Sequence, residues 1–154
     1  RLIGWLAKVL AEHPDQRREI VADRSLIPKV IDETLRFEPT GHATARFTMQ
    51  DFEAHGVTIP AGSPVLLIAA SANRDPRRWD RPDEYDIHRE DVAHLTFGFG
   101  LHFCLGASLA RLEGRVALDE LLNRFPEWDV DYEGMRLAPT STVRGWERLP
   151  IVLP

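Results

Sequence analysis

The sequence has almost no cysteine and no long apolar run. A single cysteine, Cys104, among 154 residues leaves no partner for a disulfide within the chain, which suits a reducing compartment. No apolar stretch reaches the length of a bilayer span, and no signal-peptide pattern opens the chain. These absences predict a cytoplasmic protein that does not have a membrane as its partner.

An excess of positive charge is missing as well. The chain carries 19 Lys and Arg against 24 Asp and Glu, a formal net charge of −5, so attraction to nucleic acid is not expected. Repeats, low-complexity tracts and Gly/Ser linkers are also missing, which predicts one unit over residues 1–154. The chain opens on Arg1 and is apolar-periodic from Leu2 onward, so we expect a fragment of a longer domain.

Hydrophobic periodicity predicts three helices separated by strands and an irregular segment. The first helix covers residues 2–12, the second begins after Ser25 as its N-cap, and the third extends to about residue 125. The third helix carries an apolar stripe of Leu105, Leu109, Leu112 and Val116. Residues 43–72 have the character of strands, with a buried strand over 65–70, and residues 73–96 show little periodicity. The predicted fold class is mainly α with small β-sheets (α+β).

The segment 97–106 carries the chemistry of the chain, and it reads Phe-Gly-Phe-Gly-Leu-His-Phe-Cys-Leu-Gly. Its three glycines let the backbone turn sharply and approach a flat ligand closely. Cys104 lies at the start of the third helix, where free amides and the helix dipole lower a thiol pKa and favour the thiolate. The alternative is an inert cysteine that behaves as a small buried hydrophobe.

The spacing Phe-x-x-Gly-x-His-x-Cys-x-Gly resembles the haem-ligand loop of the cytochrome P-450 family, and the resemblance extends over essentially the whole chain. It implies the C-terminal part of that fold, without the N-terminal half and its distal oxygen-activating helix. It also implies that haem b (iron protoporphyrin IX) is the cofactor. Cys104 is then both the metal ligand and the catalytic centre, because a thiolate pushes electron density toward the iron.

Other positions match the same family. Glu33 and Arg36 resemble its Glu-x-x-Arg motif, with Arg89 as the third member of a structural network, although paired charges at this spacing are most often a solvated surface pair. Arg46 and His102 resemble the groups that bind the haem propionates. The resemblance implies further cofactor contacts from Phe97, Gly98, Gly106 and Ala110. It implies a substrate pocket lined by Thr40, Gly41, His42, Ala43, Thr44, Thr142 and Val143.

The activity implied by the resemblance is that of a haem-thiolate monooxygenase. Such an enzyme inserts one oxygen atom from O2 into a small organic substrate with electrons from NAD(P)H through a ferredoxin-type redox partner. Arg77, Arg78, Arg111 and Arg115 are candidates for the ferredoxin surface, although a solvated face is the commoner meaning of such charges. Two alternatives stay open: a non-catalytic, truncated haem-binding remnant, and a mononuclear metal site built from Cys104 and histidines.

Overall fold

The computed structural model describes residues 1–140 and 143–154, and within them helices are joined to small antiparallel sheets. The helices are α1 (Leu2–Glu12), α2 (Pro14–Ala22), α3 (Ile27–Phe37), α4 (Ala69–Ala72) and α5 (Ala107–Arg124), with 3-10 turns at Arg24–Leu26 and Gly100–His102. The strands are β1 (Thr44–Phe47), β2 (Phe52–Ala54), β3 (Val57–Ile59), β4 (Pro64–Leu67), β5 (Asp129–Val130), β6 (Arg136–Leu137), β7 (Trp146–Arg148) and β8 (Ile151–Val152). This arrangement confirms the predicted α+β class.

The start of the chain contains one more helix than the sequence predicted. Pro14 ends α1 as expected, but it also begins α2, because proline fits the first helical turn where its missing amide costs little. The cap before α3 also differs from the prediction. The side chain of Asp23, rather than that of Ser25, accepts a hydrogen bond, from the Ser25 amide at 2.9 Å. Helix α3 then ends at Phe37, just before Glu38-Pro39.

The core lies where α1, α3 and α5 meet. Its members are fully or almost fully buried, and they include Leu6, Val9, Leu10, Ile20, Val30, Ile31, Leu35, Leu118, Leu122 and Trp128. The indole of Trp128 donates to the carbonyl of Ala7 at 2.9 Å, which ties the segment after α5 to α1. The core therefore supports α3 from one side and leaves its other side for the loops of the site.

The apolar stripe predicted for the third helix, which begins just before α5, faces outward. Leu105, Leu109, Leu112 and Val116 are 103%, 58%, 53% and 56% exposed. The buried face instead consists of Ala107, Gly114, Leu118 and Leu122. At Gly114 a Cβ atom would lie 3.1 Å from Leu2 Cδ2, so the glycine permits close packing. Helix α5 has apolar residues on two faces, and α1 and α3 cover only one of them.

Each sheet is an antiparallel pair among the described residues: β1 with β4, β2 with β3, β5 with β8, and β6 with β7. His55 and Gly56 join β2 to β3 with φ values of +49° and +75°, as in the two-residue turns that match strand twist.

The predicted buried strand over 65–70 was wrong. β4 ends at Leu67, its side chains are largely exposed, and α4 follows at once. Between Asn73 and Phe99, a fully described stretch, there is no helix or strand, as expected.

The two faces of α5 give the first test. Leu118→Ala in this chain is expected to lower the free energy of unfolding by about 2–5 kcal/mol, because it opens a cavity in the core. Leu112→Ala, the matched control on the exposed face, is expected to change it by less than about 0.5 kcal/mol. Urea unfolding followed by circular dichroism measures both. Equal losses would contradict the assignment of the buried face.

Candidate functional site

A buried ion pair on α3 is the anchor of the site. The side chains of Glu33 and Arg36 are 0% exposed, and two bonds of 2.7 and 2.8 Å join the guanidinium to the two carboxylate oxygens. The remaining donors of Arg36 bind the backbone carbonyls of Asn73, Pro82 and Glu84 at 2.8–3.0 Å. All five N–H groups of this guanidinium are therefore satisfied inside the protein. This pair is not the solvated surface pair that the same spacing usually indicates.

The third predicted member of this network, Arg89, lies against Glu33. Its Nε is 3.3 Å from Glu33 Oε2, and its other nitrogens donate to the carbonyls of Asp80, Arg81 and Glu84. Glu33 also accepts from the Asp86 amide at 3.0 Å. The charged network thus replaces the backbone pairing that a segment without helix or strand otherwise lacks.

Sequence reasoning missed the part played by Asn73, at the start of the irregular segment. The side chain of Asn73 accepts from the Leu95 amide at 2.7 Å and donates to the Thr96 hydroxyl at 2.9 Å. Thr96 in turn donates to the Leu35 carbonyl on α3 at 2.6 Å. Asn73 is fully buried, so it connects the ion pair to the loop that leads to Cys104. A buried asparagine is visible only once its partners are known.

The loop around Cys104 is held by backbone contacts and by glycines with positive φ. The Cys104 amide donates to the Phe97 carbonyl at 2.8 Å, and its own carbonyl accepts from the Ala107 amide at 3.1 Å, where α5 begins. Gly98 and Gly100 have φ values of +76° and +67°, a region that L side chains rarely adopt. The loop therefore depends on glycine at these two positions, and its thiol is exposed.

Two adjoining cavities of about 480 and 190 Å³ open beside this loop. Arg46 and His102 line both, and Cys104 lines the smaller one. The larger cavity has mainly apolar walls, which are formed by Leu67, Ile68, Ala69, Ala72, Leu95 and Phe99. One nitrogen of Arg46 binds the Thr44 hydroxyl at 2.9 Å and the Ala45 carbonyl at 2.8 Å. The Cys104 side chain, a guanidinium and an imidazole thus line the smaller cavity, and the last two also line the larger apolar one.

Of the four other residues expected to contact the cofactor, two line a cavity and two do not. Phe97 and Gly98 line the smaller cavity together with Cys104. Gly106 and Ala110 are not among the lining residues of either cavity. A Cβ at Gly106 would meet the Cys104 sulfur at 3.9 Å, which is ordinary contact. Gly106 directly precedes α5, and Ala110 lies in its first turn.

The residues expected to line a substrate pocket also separate into groups. Gly41, Ala43 and Thr44 line the smaller cavity, whereas Thr40 and His42 do not. Val143 forms an isolated bridge with Gly41, and Thr142 lies outside the described residues. Burial and the nearby charge of Arg144 lower the pKa of His42, so its imidazole is neutral at neutral pH. His42 belongs with Arg144 and Glu38 rather than with the cavity.

These residues fit a haem. Together the two adjoining cavities offer apolar walls for a flat macrocycle, an exposed cysteine for the iron, and two side chains, Arg46 and His102, that suit carboxylates. The exposed sulfur argues against the inert buried cysteine. A mononuclear copper or zinc site is not supported, since no three His, Cys, Asp or Glu side chains of the described chain gather as metal ligands.

Comparison with known proteins identifies the family. A model of the cytochrome P-450 family matches residues 6–144, and the chain belongs to that family. Haem b is the cofactor of this family. Among curated relatives, a "putative cytochrome P-450 123" from Mycobacterium tuberculosis is 46% identical over 142 residues, and the cytochrome P-450 monooxygenase PikC from Streptomyces venezuelae is 43% identical over 145. Both alignments cover 92% of this chain but 35% of the relative.

Solved structures agree with this fold. P-450BioI, crystallised with an acyl carrier protein ligated to hexadec-9Z-enoic acid, superposes with a TM-score of 0.95 at 39% identity. The hydroxylase HmtN of himastatin biosynthesis gives 0.95 at 42% identity. These matches cover 99% of this chain and 40% and 42% of the solved chains, so the chain spans well under half the length of its relatives. Among its described residues there is no helix with the length and apolar character needed to cross a bilayer.

The ion pair gives the second test. Arg36→Ala removes the nearest charge partner of buried Glu33, leaving only Arg89 beside it, and it takes the donor from the carbonyls of Asn73, Pro82 and Glu84. We therefore expect it to lower the free energy of unfolding by about 3–5 kcal/mol. The control, Arg124→Ala, removes an exposed pair with Glu120 on α5 and should cost about 0.5 kcal/mol. Urea denaturation compares the two variants. A cost for Arg36→Ala no larger than that of the control would show that the buried pair contributes little.

Proposed function

We propose that this chain is the haem-binding part of a monooxygenase that inserts one oxygen atom from O2 into a small organic substrate. The observation that carries the proposal is the exposed sulfur of Cys104 on the wall of a cavity that Arg46 and His102 also line. Membership of the cytochrome P-450 family supports it, and the relatives include PikC, named as a monooxygenase, and a 6-deoxyerythronolide B hydroxylase. Haem supplies the oxygen activation when it is bound.

The roles proposed for the chain's own residues follow from their chemistry. Cys104 provides a thiolate for the iron, and Gly98 and Gly100 before it allow the loop to turn with positive φ. Arg46 and His102 bind the propionates, where a guanidinium forms strong charge-assisted hydrogen bonds. Glu33, Arg36 and Arg89 take no part in proton transfer. They brace the segment beneath the loop, so their contribution is structural.

We also propose that residues 1–154 form a single unit that is the C-terminal part of a longer P-450 domain. The exposed apolar stripe that runs from Leu105 into α5 supports this, because Leu105, Leu109, Leu112 and Val116 would otherwise present an apolar face to water. The relatives have more than twice the length of this chain. The remaining part of the domain would cover α5 and close the open side of the cavity, including the distal wall. The truncated-remnant alternative corresponds to a chain that never acquires that wall.

A ferredoxin-type protein is the proposed electron donor, and arginines near the loop support an acidic partner. Arg111 is not free for this task, since its Nε is 2.8 Å from Asp32. Arg77 and Arg78 form exposed pairs with Asp75 and Asp91, which an acidic partner can exchange for its own carboxylates. Arg77 and Arg78 are therefore better candidates for a docking contact than Arg111.

The decisive test of the function is the spectrum of the reduced carbon monoxide complex. The full-length protein loaded with haem is expected to show the thiolate-specific absorption band, and Cys104→Ser is expected to lose it. The 154-residue chain alone should fail to form the complex, since half of the cavity wall is open. A full-length, haem-loaded protein without the thiolate band would contradict the proposed monooxygenase.

The redox partner has its own test. Arg78→Glu should slow the reduction of the haem protein by a ferredoxin and flatten the dependence of that rate on salt, because it places a negative charge against an acidic partner. The control, Arg136→Glu, changes an exposed arginine on β6 and should leave the rate unchanged. Stopped-flow reduction at several ionic strengths measures both. Identical rates for the two variants would remove Arg78 from the docking surface.

A further inference from the structure

Behind the cysteine loop lies a second polar cluster, which the functional assignment has not used. Asp32 on α3 holds it together. Its Oδ1 accepts from Arg111 Nε on α5 at 2.8 Å and lies 3.4 Å from His94 Nε2 in the loop segment. The side chain of His94 is 2% exposed, so its imidazole is shielded from water and has the Asp32 carboxylate as its neighbour. One carboxylate thus joins three separate parts of the chain.

The orientation of the imidazole in this cluster is determined at both ends. His94 Nδ1 accepts from the Thr96 amide at 3.2 Å, so in the neutral ring the proton is on Nε2 and points at Asp32. Burial raises the pKa of Asp32, but the hydrogen bonds from His94 and Arg111 together lower it by more than that. The pKa of Asp32 therefore lies below its usual value. Asp32 is therefore an anion that accepts from both neighbours.

The cluster surrounds the ring of Phe97. The Arg111 guanidinium carbon lies 4.9 Å from the ring centroid, and the His94 ring centroid lies 5.6 Å from it. Phe97 is also the residue whose carbonyl accepts the Cys104 amide at 2.8 Å. Asp32 thus reaches the cysteine through one intermediate residue: it fixes Arg111 and His94, they clamp Phe97, and Phe97 holds the backbone of Cys104.

We infer that Asp32 is a positioning residue for the Cys104 thiolate, with His94 and Arg111 as the arms through which it acts. The inference rests on the proposed function, because it concerns the sulfur as an iron ligand. It differs from the role of the Glu33–Arg36 network, which binds the irregular segment 73–89. The Asp32 cluster instead acts on the loop itself, and removing Asp32 loosens Phe97 while the buried ion pair stays intact.

The experiment uses the full-length protein loaded with haem and follows the reduced carbon monoxide complex over time in mild urea. Asp32→Ala is expected to increase roughly tenfold the rate at which the thiolate-specific band converts to that of a thiol-ligated haem, since it removes charge-assisted hydrogen bonds near the ligand. Asp32→Glu should restore most of the slow rate. The control, Asp119→Ala, removes an exposed carboxylate of α5 and should match the unmodified protein.

The reduction potential supplies a second readout. Asp32→Ala is expected to shift it, whereas Asp119→Ala leaves it unchanged, because only the former alters the surroundings of the ligand loop. If Asp32→Ala does not fold, His94→Leu tests the same contact with a variant that keeps the site filled. An unmodified protein with the thiolate band, combined with variants whose conversion rate and potential both equal those of the control, would overturn the inference. An unmodified protein without that band would instead contradict the proposed function.

Discussion

The site depends on the burial of two opposite charges on one helix face. Glu33 and Arg36 are removed from water completely, and that arrangement is tolerable only because every donor of the guanidinium finds an acceptor. Three of those acceptors are backbone carbonyls of the irregular segment. The ion pair therefore determines the path of the irregular segment, which has no helix or strand pairing of its own. That segment leads to the cysteine loop.

Two polar clusters hold this loop from different sides. From one side, Asn73 and Thr96 connect the ion pair and the carbonyl of Leu35 to the residues just before Phe97. From the other side, Asp32 connects α3 and α5 around the ring of Phe97. Helix α3 carries the anchors of both clusters. Helix α3 thus holds the residues just before Cys104 through both clusters, while the loop turns through glycine.

Local signals in the sequence predicted much of this site, and global packing accounts for what they missed. The glycine and cysteine spacing of residues 97–106 and the Glu-x-x-Arg motif gave the family and led to Arg89, because each describes a local geometry. Periodicity predicted the apolar stripe of α5 but could not show which face α1 and α3 cover, and they cover the opposite one. Helix α2 was missed because proline both ends and begins helices. The roles of Asn73 and Asp32 depend on contacts between distant residues, which no local pattern contains.

The account stands on a bond between the Cys104 sulfur and iron, and iron K-edge X-ray absorption of the full-length, haem-loaded protein measures that bond directly. The account predicts one sulfur neighbour at iron in addition to the porphyrin nitrogens, and the loss of that sulfur in Cys104→Ser. A spectrum with only nitrogen and oxygen neighbours in the unmodified protein, or a sulfur neighbour that persists in Cys104→Ser, would contradict it.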